Sequence, residues 1–304
     1  MTWMQISQTL ESQRGTRRSR RRTRLTRSLV AICLAVYGWP QVAPAQERKT
    51  PLPPPQKYVD YRQPPREYAT THVGKWTVMV EKQLKADAPA IAEQALARLT
   101  KKLGEALKAL PKPCHAKLQG LPIFLMYGPK AKGGGRDNGL EYFQKNGPEH
   151  DNQLDPRWQS GVVIYCAENY VQISEFWALK ALVHEFAHVQ QLEQWPEEQP
   201  DILGAWENAM KHGLYHGVKD DRGKTVDKAY AATNQLEYFA ELSCMYFVGC
   251  NYQPFNRKEL KAYDPVGYAM IEKMWGVTEK ERDRLQTCPT NHLRRGLASG
   301  RPAD

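Results

Sequence analysis

The sequence predicts an α+β domain, mainly helical, with a small mixed sheet. Three short strand-like runs, at 76–81, 121–127 and 161–166, precede the longest helical segments of the second half. Longer segments with apolar residues at helical spacing occupy 86–110, 176–194 and most of the second half. No internal repeat is visible.

Residues 1–45 are expected to lie outside the fold. Eight arginines lie between Arg14 and Arg27, and Glu11 is the segment's one acid. An apolar run at 29–37 is too short to span a bilayer. Ala43-Pro44-Ala45 offers a small-residue cleavage site. This pattern is that of a signal peptide cut near Ala45, so the mature chain is expected to be secreted or periplasmic, with no stable membrane insertion once the leader is gone. A mitochondrial-type transit peptide and a twin-arginine signal fit less well, and Cys33 lacks a lipoprotein context. The whole chain carries 43 basic and 33 acidic side chains. Eight Arg and one Glu belong to the leader, which leaves 35 against 32 and a charge of about +3. No stripe of Lys and Arg interleaves with aromatics, so nucleic-acid binding has no support.

Residues 46–70 carry Pro51, Pro53, Pro54, Pro55, Pro64 and Pro65. They read as an extended linker, or an arm lying on the domain. Residues 71–304 suit one domain. Within it, 76–81 alternates as a strand and 86–110 is a long amphipathic helix. Residues 121–127 form a second strand. Residues 130–138 hold Gly133-Gly134-Gly135 and read as a flexible loop; no Gly-Lys-Ser/Thr follows, so phosphate binding is a poor reading. Residues 161–166 form a third strand, which 170–173 could continue. Helices are expected at 202–215, 231–248 and 266–275, with a short one at 278–285.

The segment His184-Glu185-Phe186-Ala187-His188 sits inside the 176–194 helix. Residues four apart share a helix face, so both imidazoles can point at one ion, with Glu185 beside them to deprotonate a water. Zinc suits imidazole and carboxylate ligands, and an open position makes such a site hydrolytic. The helix has its own punctuation. Ser174 can cap its start, Glu175 suits the first-turn dipole, and Pro196 marks its end. Leu179, Leu182, Val183, Phe186 and Val189 make its buried face.

A third ligand must come from elsewhere. A metzincin would place Gly at 191 and His at 194, where this chain has Gln191 and Gln194. Two acids remain, Glu207 and Glu237. Glu237 and Glu241 are four apart, so one can bind the metal while the other holds a ligand imidazole by its second nitrogen. Glu207 has Lys211 at the equivalent place, which favours Glu237. Glu237 also stands three residues after Asn234, the spacing of a capping box, and could merely satisfy a helix end.

At this point the chain resembles a family. The run Tyr230-Ala231-Ala232-Thr233-Asn234-Gln235-Leu236-Glu237-Tyr238-Phe239-Ala240-Glu241 is similar to the second zinc segment of the anthrax lethal factor type of metallopeptidase. That group includes the secreted Pro-Pro endopeptidases. Its pattern has a Tyr seven residues before the ligand Glu, and the His184 motif with Phe186 fits its first segment. The likeness covers roughly 175–247. It implies a zincin-like fold with one zinc held by His184, His188 and Glu237, with Glu185 as general base. Tyr230 would face the oxyanion and Glu241 would support a ligand from behind. It also implies an edge strand near the metal that takes an extended peptide or protein substrate. The toxin's translocation and docking regions are absent, so its substrate does not carry over.

The expectation is therefore an exported zinc metallopeptidase. Two alternatives stay open: a catalytically inactive zincin-fold binding module of the cell envelope, and a zinc amidase acting on a cell-wall linkage. Five cysteines lie beyond the leader, Cys114, Cys166, Cys244, Cys250 and Cys288. Export makes disulfides plausible, with 244–250, 250–288 and 114–166 as candidate pairs. His212 and His216 also stand four apart on an expected helix, but no acid is suitably placed, and they read as surface imidazoles. His72, His115, His150 and His292 have no context that singles them out.

Overall fold

The computed structural model describes residues 59–145 and 154–286. The leader, most of the Pro-rich segment, Cys288, His150 and His292 lie outside these residues.

β1 (Tyr68–Val73) and β2 (Trp76–Glu81) form an antiparallel hairpin. The helix expected at 86–110 is two helices, α1 (Lys82–Asp87) and α2 (Pro89–Ala109). The break is Ala88, at φ −141° and ψ 57°. Pro89 disfavours helical backbone in the residue before it and then opens the next helix. α3 (His115–Gln119) leads into β3 (Pro122–Leu125), parallel to β2. β4 (Leu140–Phe143) precedes β5 (Gly161–Ile164), which runs parallel to β3 and antiparallel to β4. The sheet order is therefore β1-β2-β3-β5-β4, with β4 on one edge.

Each face of the sheet is buried. Phe124 and Val163 join Tyr61, Met126, Trp158 and Tyr165 in one aromatic-rich cluster, with Met79 packed against it. Val78, Val80, Ile123, Leu125, Val162 and Ile164 project from the other face and are 0–1% exposed. The described part of the Pro-rich segment lies on the domain. Tyr61 is buried and accepts a hydrogen bond from the Arg136 N–H, and Arg66 makes a buried pair with Glu81 at 2.9 Å. The Gly-rich loop is held rather than free. A Cβ on Gly135 would stand 2.4 Å from the Gly128 carbonyl oxygen, so only glycine allows that approach.

α4 (Ala167–Gln172) replaces the strand continuation expected at 170–173. Its last turn is satisfied by Arg98, which donates to the Val171 and Ile173 carbonyls, while Tyr170 is buried. α5 (Glu175–Leu192) follows, capped by Ser174, whose Oγ accepts from the Trp177 N–H. α6 (Pro200–Lys211) stops four residues short of the expected end, where Gly213 takes a φ of +66°. β6 (His216–Lys219) and β7 (Thr225–Lys228) form a separate hairpin. His212 and His216 thus lie on different elements, both exposed, and form no metal pair. A single 3-10 turn at Tyr230–Ala232 leads to α7 (Gln235–Phe247). α8 (Arg257–Tyr263), α9 (Pro265–Met274) and α10 (Glu279–Gln286) are the last elements among the described residues. Asp264, 0% exposed, ties this half together by accepting from the Tyr215 and Tyr238 hydroxyls and the Gly267 N–H. Among the described residues no helix is long and apolar enough to cross a membrane.

Two of the expected cysteine pairs are corrected, and the pair 250–288 lies outside the described residues. Cys114, Cys166, Cys244 and Cys250 are all buried. Cys114 Sγ faces the Pro111 carbonyl at 2.9 Å, and Cys166 lies beneath Gly128. Cys244 and Cys250 face the Lys180 carbonyl and Glu241 instead of each other. The pairs 114–166 and 244–250 are therefore not formed.

Glu175 anchors the start of α5 to α2 through Arg98, Lys101 and Lys102. The Lys101 and Lys102 ammonium groups hold its carboxyl down to about 2. A depressed carboxylate stabilises the fold above its ordinary titration range and loses that contribution as pH falls toward 2. Its side chain is 47% exposed, so solvent screening reduces the effect. Glu175→Gln should cost about 1 kcal/mol in urea unfolding at pH 7. The difference from wild type should shrink between pH 4.5 and pH 2, and a difference that does not change with pH would refute the assigned pairing.

Candidate metal centre

α5 and α7 pack against each other and bring the sequence-selected residues together. His184 and His188 project from one face of α5, and Glu237 and Glu241 from one face of α7. Asn234 Oδ1 accepts from the Glu237 N–H at 2.8 Å and so caps α7. The Glu237 carboxylate turns to the imidazoles instead of closing a reciprocal box.

Three donor atoms converge. His184 Nε2 lies 3.1 Å from Glu237 Oε2, His188 Nε2 lies 3.6 Å from the same oxygen, and the two Nε2 atoms are 3.2 Å apart. Three ligands held tetrahedrally about 2.0–2.1 Å from one ion stand roughly 3.3 Å from each other. The observed triangle brackets that spacing, so the donor set fits a zinc-sized ion. Burial works against the Glu237 carboxylate, but hydrogen bonding to His184 and His188 outweighs it and holds the group well below the usual range.

The other face of His184 is also occupied. Its Nδ1 lies 3.0 Å from Glu241 Oε1. Glu241 is 1% exposed and is gripped by Lys180 Nζ, 2.9 Å from each carboxylate oxygen. Burial opposes its charge, and Lys180 outweighs that to keep it ionised. His184, Glu241 and Cys244 form a second convergent donor group. These partners leave the ring's Nε2 facing Glu237 and His188.

Glu185, 2% exposed, accepts the backbone N–H of Tyr142 at 2.8 Å. β4 pairs with β5 through its odd positions: Gly139 and Phe143 carbonyls accept from Tyr165 and Ser160. The Tyr142 N–H points outward, to the edge where α5 runs. The Tyr142 hydroxyl reaches Glu193, and Gln144 Nε2 reaches the Leu192 carbonyl at 3.3 Å, so the edge strand is fastened along α5. Tyr230 stacks on the His184 ring, with centroids 5.7 Å apart and planes 25° apart. Glu207 is exposed on α6 and belongs to no donor cluster among the described residues.

No protein-family model, curated protein or solved structure matches the chain. The chemistry of the site therefore rests on its own geometry. Sequence reasoning missed two participants. Lys180 carried a signal, as a lone charge in an apolar helix one turn before His184. Tyr142 acts through its backbone and leaves no side-chain signature.

Burial pushes the Glu185 carboxyl up to about 7, against the lowering influence of His184 and His188. A raised folded-state value means that Glu185 favours the fold while protonated. Its contribution is full below about pH 4.5 and is lost as pH rises through about 7. In the metal-free protein, Glu185→Gln should therefore gain roughly 2 kcal/mol over wild type between pH 4.5 and pH 8. Urea unfolding at both pH values checks this, and parallel pH profiles for the two proteins would refute it.

Proposed function

We propose that this chain is an exported zinc metallopeptidase of the lethal factor type, with a zincin-like fold. The carrying observation is the triangle of His184 Nε2, His188 Nε2 and Glu237 Oε2, with Glu185 adjacent on the same helix turn. The 230–241 segment supports the same reading, because it supplies Glu237, Glu241 and Tyr230 to the two faces of His184. The leader composition and small-residue site near Ala45 support export.

Zinc bound there supplies Lewis acidity, which polarises a carbonyl and makes water a nucleophile at neutral pH. His184, His188 and Glu237 would hold the ion. Glu185 takes a proton from the attacking water, whose oxygen adds to the scissile carbonyl carbon. It then delivers that proton to the leaving amine as the C–N bond breaks. The Tyr142 N–H orients one Glu185 oxygen and leaves the other for this exchange. Tyr230, beside His184, donates a hydrogen bond to the tetrahedral oxygen.

The test is zinc content and peptide-library cleavage by the protein beginning at residue 46. Wild type should hold one zinc per chain and cleave peptides. Glu237→Ala should lose the metal. Glu185→Gln should keep it and lose roughly 10²–10⁴-fold in turnover. Tyr230→Phe should keep it and lose about 10²–10³-fold. A zinc-loaded wild type inert toward every peptide would favour a cell-wall amidase or a binding module, and a wild type that takes no zinc would end the hydrolase reading.

A further inference from the structure

Lys180 lies one turn before His184 on α5, and its side chain is 5% exposed. Its ammonium meets both Glu241 oxygens at 2.9 Å and Asn251 Oδ1 at 3.1 Å. The Trp177 and Tyr252 rings lie beside it, 5.0 Å and 5.8 Å from Nζ to centroid. A buried ion pair is weak evidence for stability, since well-packed apolar side chains often do as well in its place. Lys180 therefore calls for an explanation other than holding the fold together.

Two donor groups share His184 and lie on opposite sides of it. One is His184 with His188 and Glu237, and the other is His184 with Glu241 and Cys244. A thiolate, a carboxylate and an imidazole are a competent zinc set in their own right. A metal taken by the second group would be without His188 and Glu237, which belong only to the first. The Lys180 charge stands against Glu241 and opposes any cation there. Its grip on both oxygens also leaves Glu241 a hydrogen-bond acceptor for the His184 Nδ1–H.

We propose that Lys180 is a positioning residue that directs the metal to His184 Nε2, by engaging Glu241 and closing the His184–Glu241–Cys244 group to cations. This rests on the zinc site proposed above. Lys180 touches neither the reacting atoms nor the metal. It acts through Glu241 on which side of the His184 ring accepts an ion.

The test uses the mature protein with Zn2+ and Co2+ as probes, in wild type, Lys180→Met, Lys180→Gln and Lys180→Met/Cys244→Ser. Folding of each metal-free variant is checked by circular dichroism. Zinc affinity is read by chelator competition and should fall 10–100-fold in both single variants, the range seen when a ligand's supporting partner is lost. Co2+ reports the ligand type. Wild type should show no thiolate-to-cobalt charge-transfer band in the near ultraviolet. Lys180→Met should show one, and the double variant should lose it. Lys180→Gln keeps a donor to Glu241 without the charge, and it carries the test if Lys180→Met does not fold. Folded variants with wild-type affinity and no band would overturn the proposal. A loss of affinity without the band, or failure of both single variants to fold, would also overturn it, since each marks a merely structural lysine. A wild type that binds neither ion refutes the zinc site itself, a result distinct from any of these.

Discussion

Two residues four apart on α5, His184 and His188, meet two residues four apart on α7, Glu237 and Glu241, and the rest of the site is arranged around that meeting. The α-helix places such pairs on one face, one turn above the other. Two helices carrying them can bring four polar groups into register only at a fixed distance and rotation. The packing beneath sets both. Val183, Phe186, Phe239, Leu242 and Ala240 are 0% exposed, so neither helix can turn without opening a cavity. The polar contacts are thus consequences of an apolar interface, and the start of α7 is set by Asn234 and by the Tyr238–Asp264 bond.

The sheet contributes through its edge. β4 is four residues long and pairs on one side only, yet it holds Glu185 through a backbone N–H and α5 through Tyr142 and Gln144. This makes the helix and the sheet one framework around Glu185. Burial at this junction raises the carboxyl's affinity for a proton, while the imidazoles next to it act in the opposite sense. The same surroundings that disfavour its charge give it a proton affinity suited to exchange near neutral pH.

Much of this was legible in the sequence where periodicity and spacing carry the information. The α5 helix, its Ser174 cap and the shared face of His184 and His188 follow from residue spacing alone. So does the choice of Glu237 over Glu207, because Glu241 stands one turn on while Lys211 follows Glu207. Other features were not legible. β1 has no fully buried position and β6–β7 is largely exposed, so they carry little apolar signal, and β4 alternates over only four residues. The strand expected at 170–173 became helix because Arg98, more than 70 residues earlier, satisfies its last carbonyls. The pairs 114–166 and 244–250 failed for a similar reason: counting thiols says nothing about where each side chain points. Lys180 was visible as an isolated charge in an apolar stripe, but its partner lies on another helix.

The alternation of β4 has one further consequence. Its odd positions face β5 and Tyr142 faces out, so the donor that meets Glu185 is chosen by parity. The chain between β3 and β4 is pinned where Gly135 rests on Gly128, which fixes how many residues reach the strand. A length change of one residue there would turn the Tyr142 N–H inward and present a side chain's worth of misfit to α5. A change of two would restore the pattern. The loop is therefore constrained in its arithmetic as well as in its composition, and glycine at 135 is the peg that counts the residues.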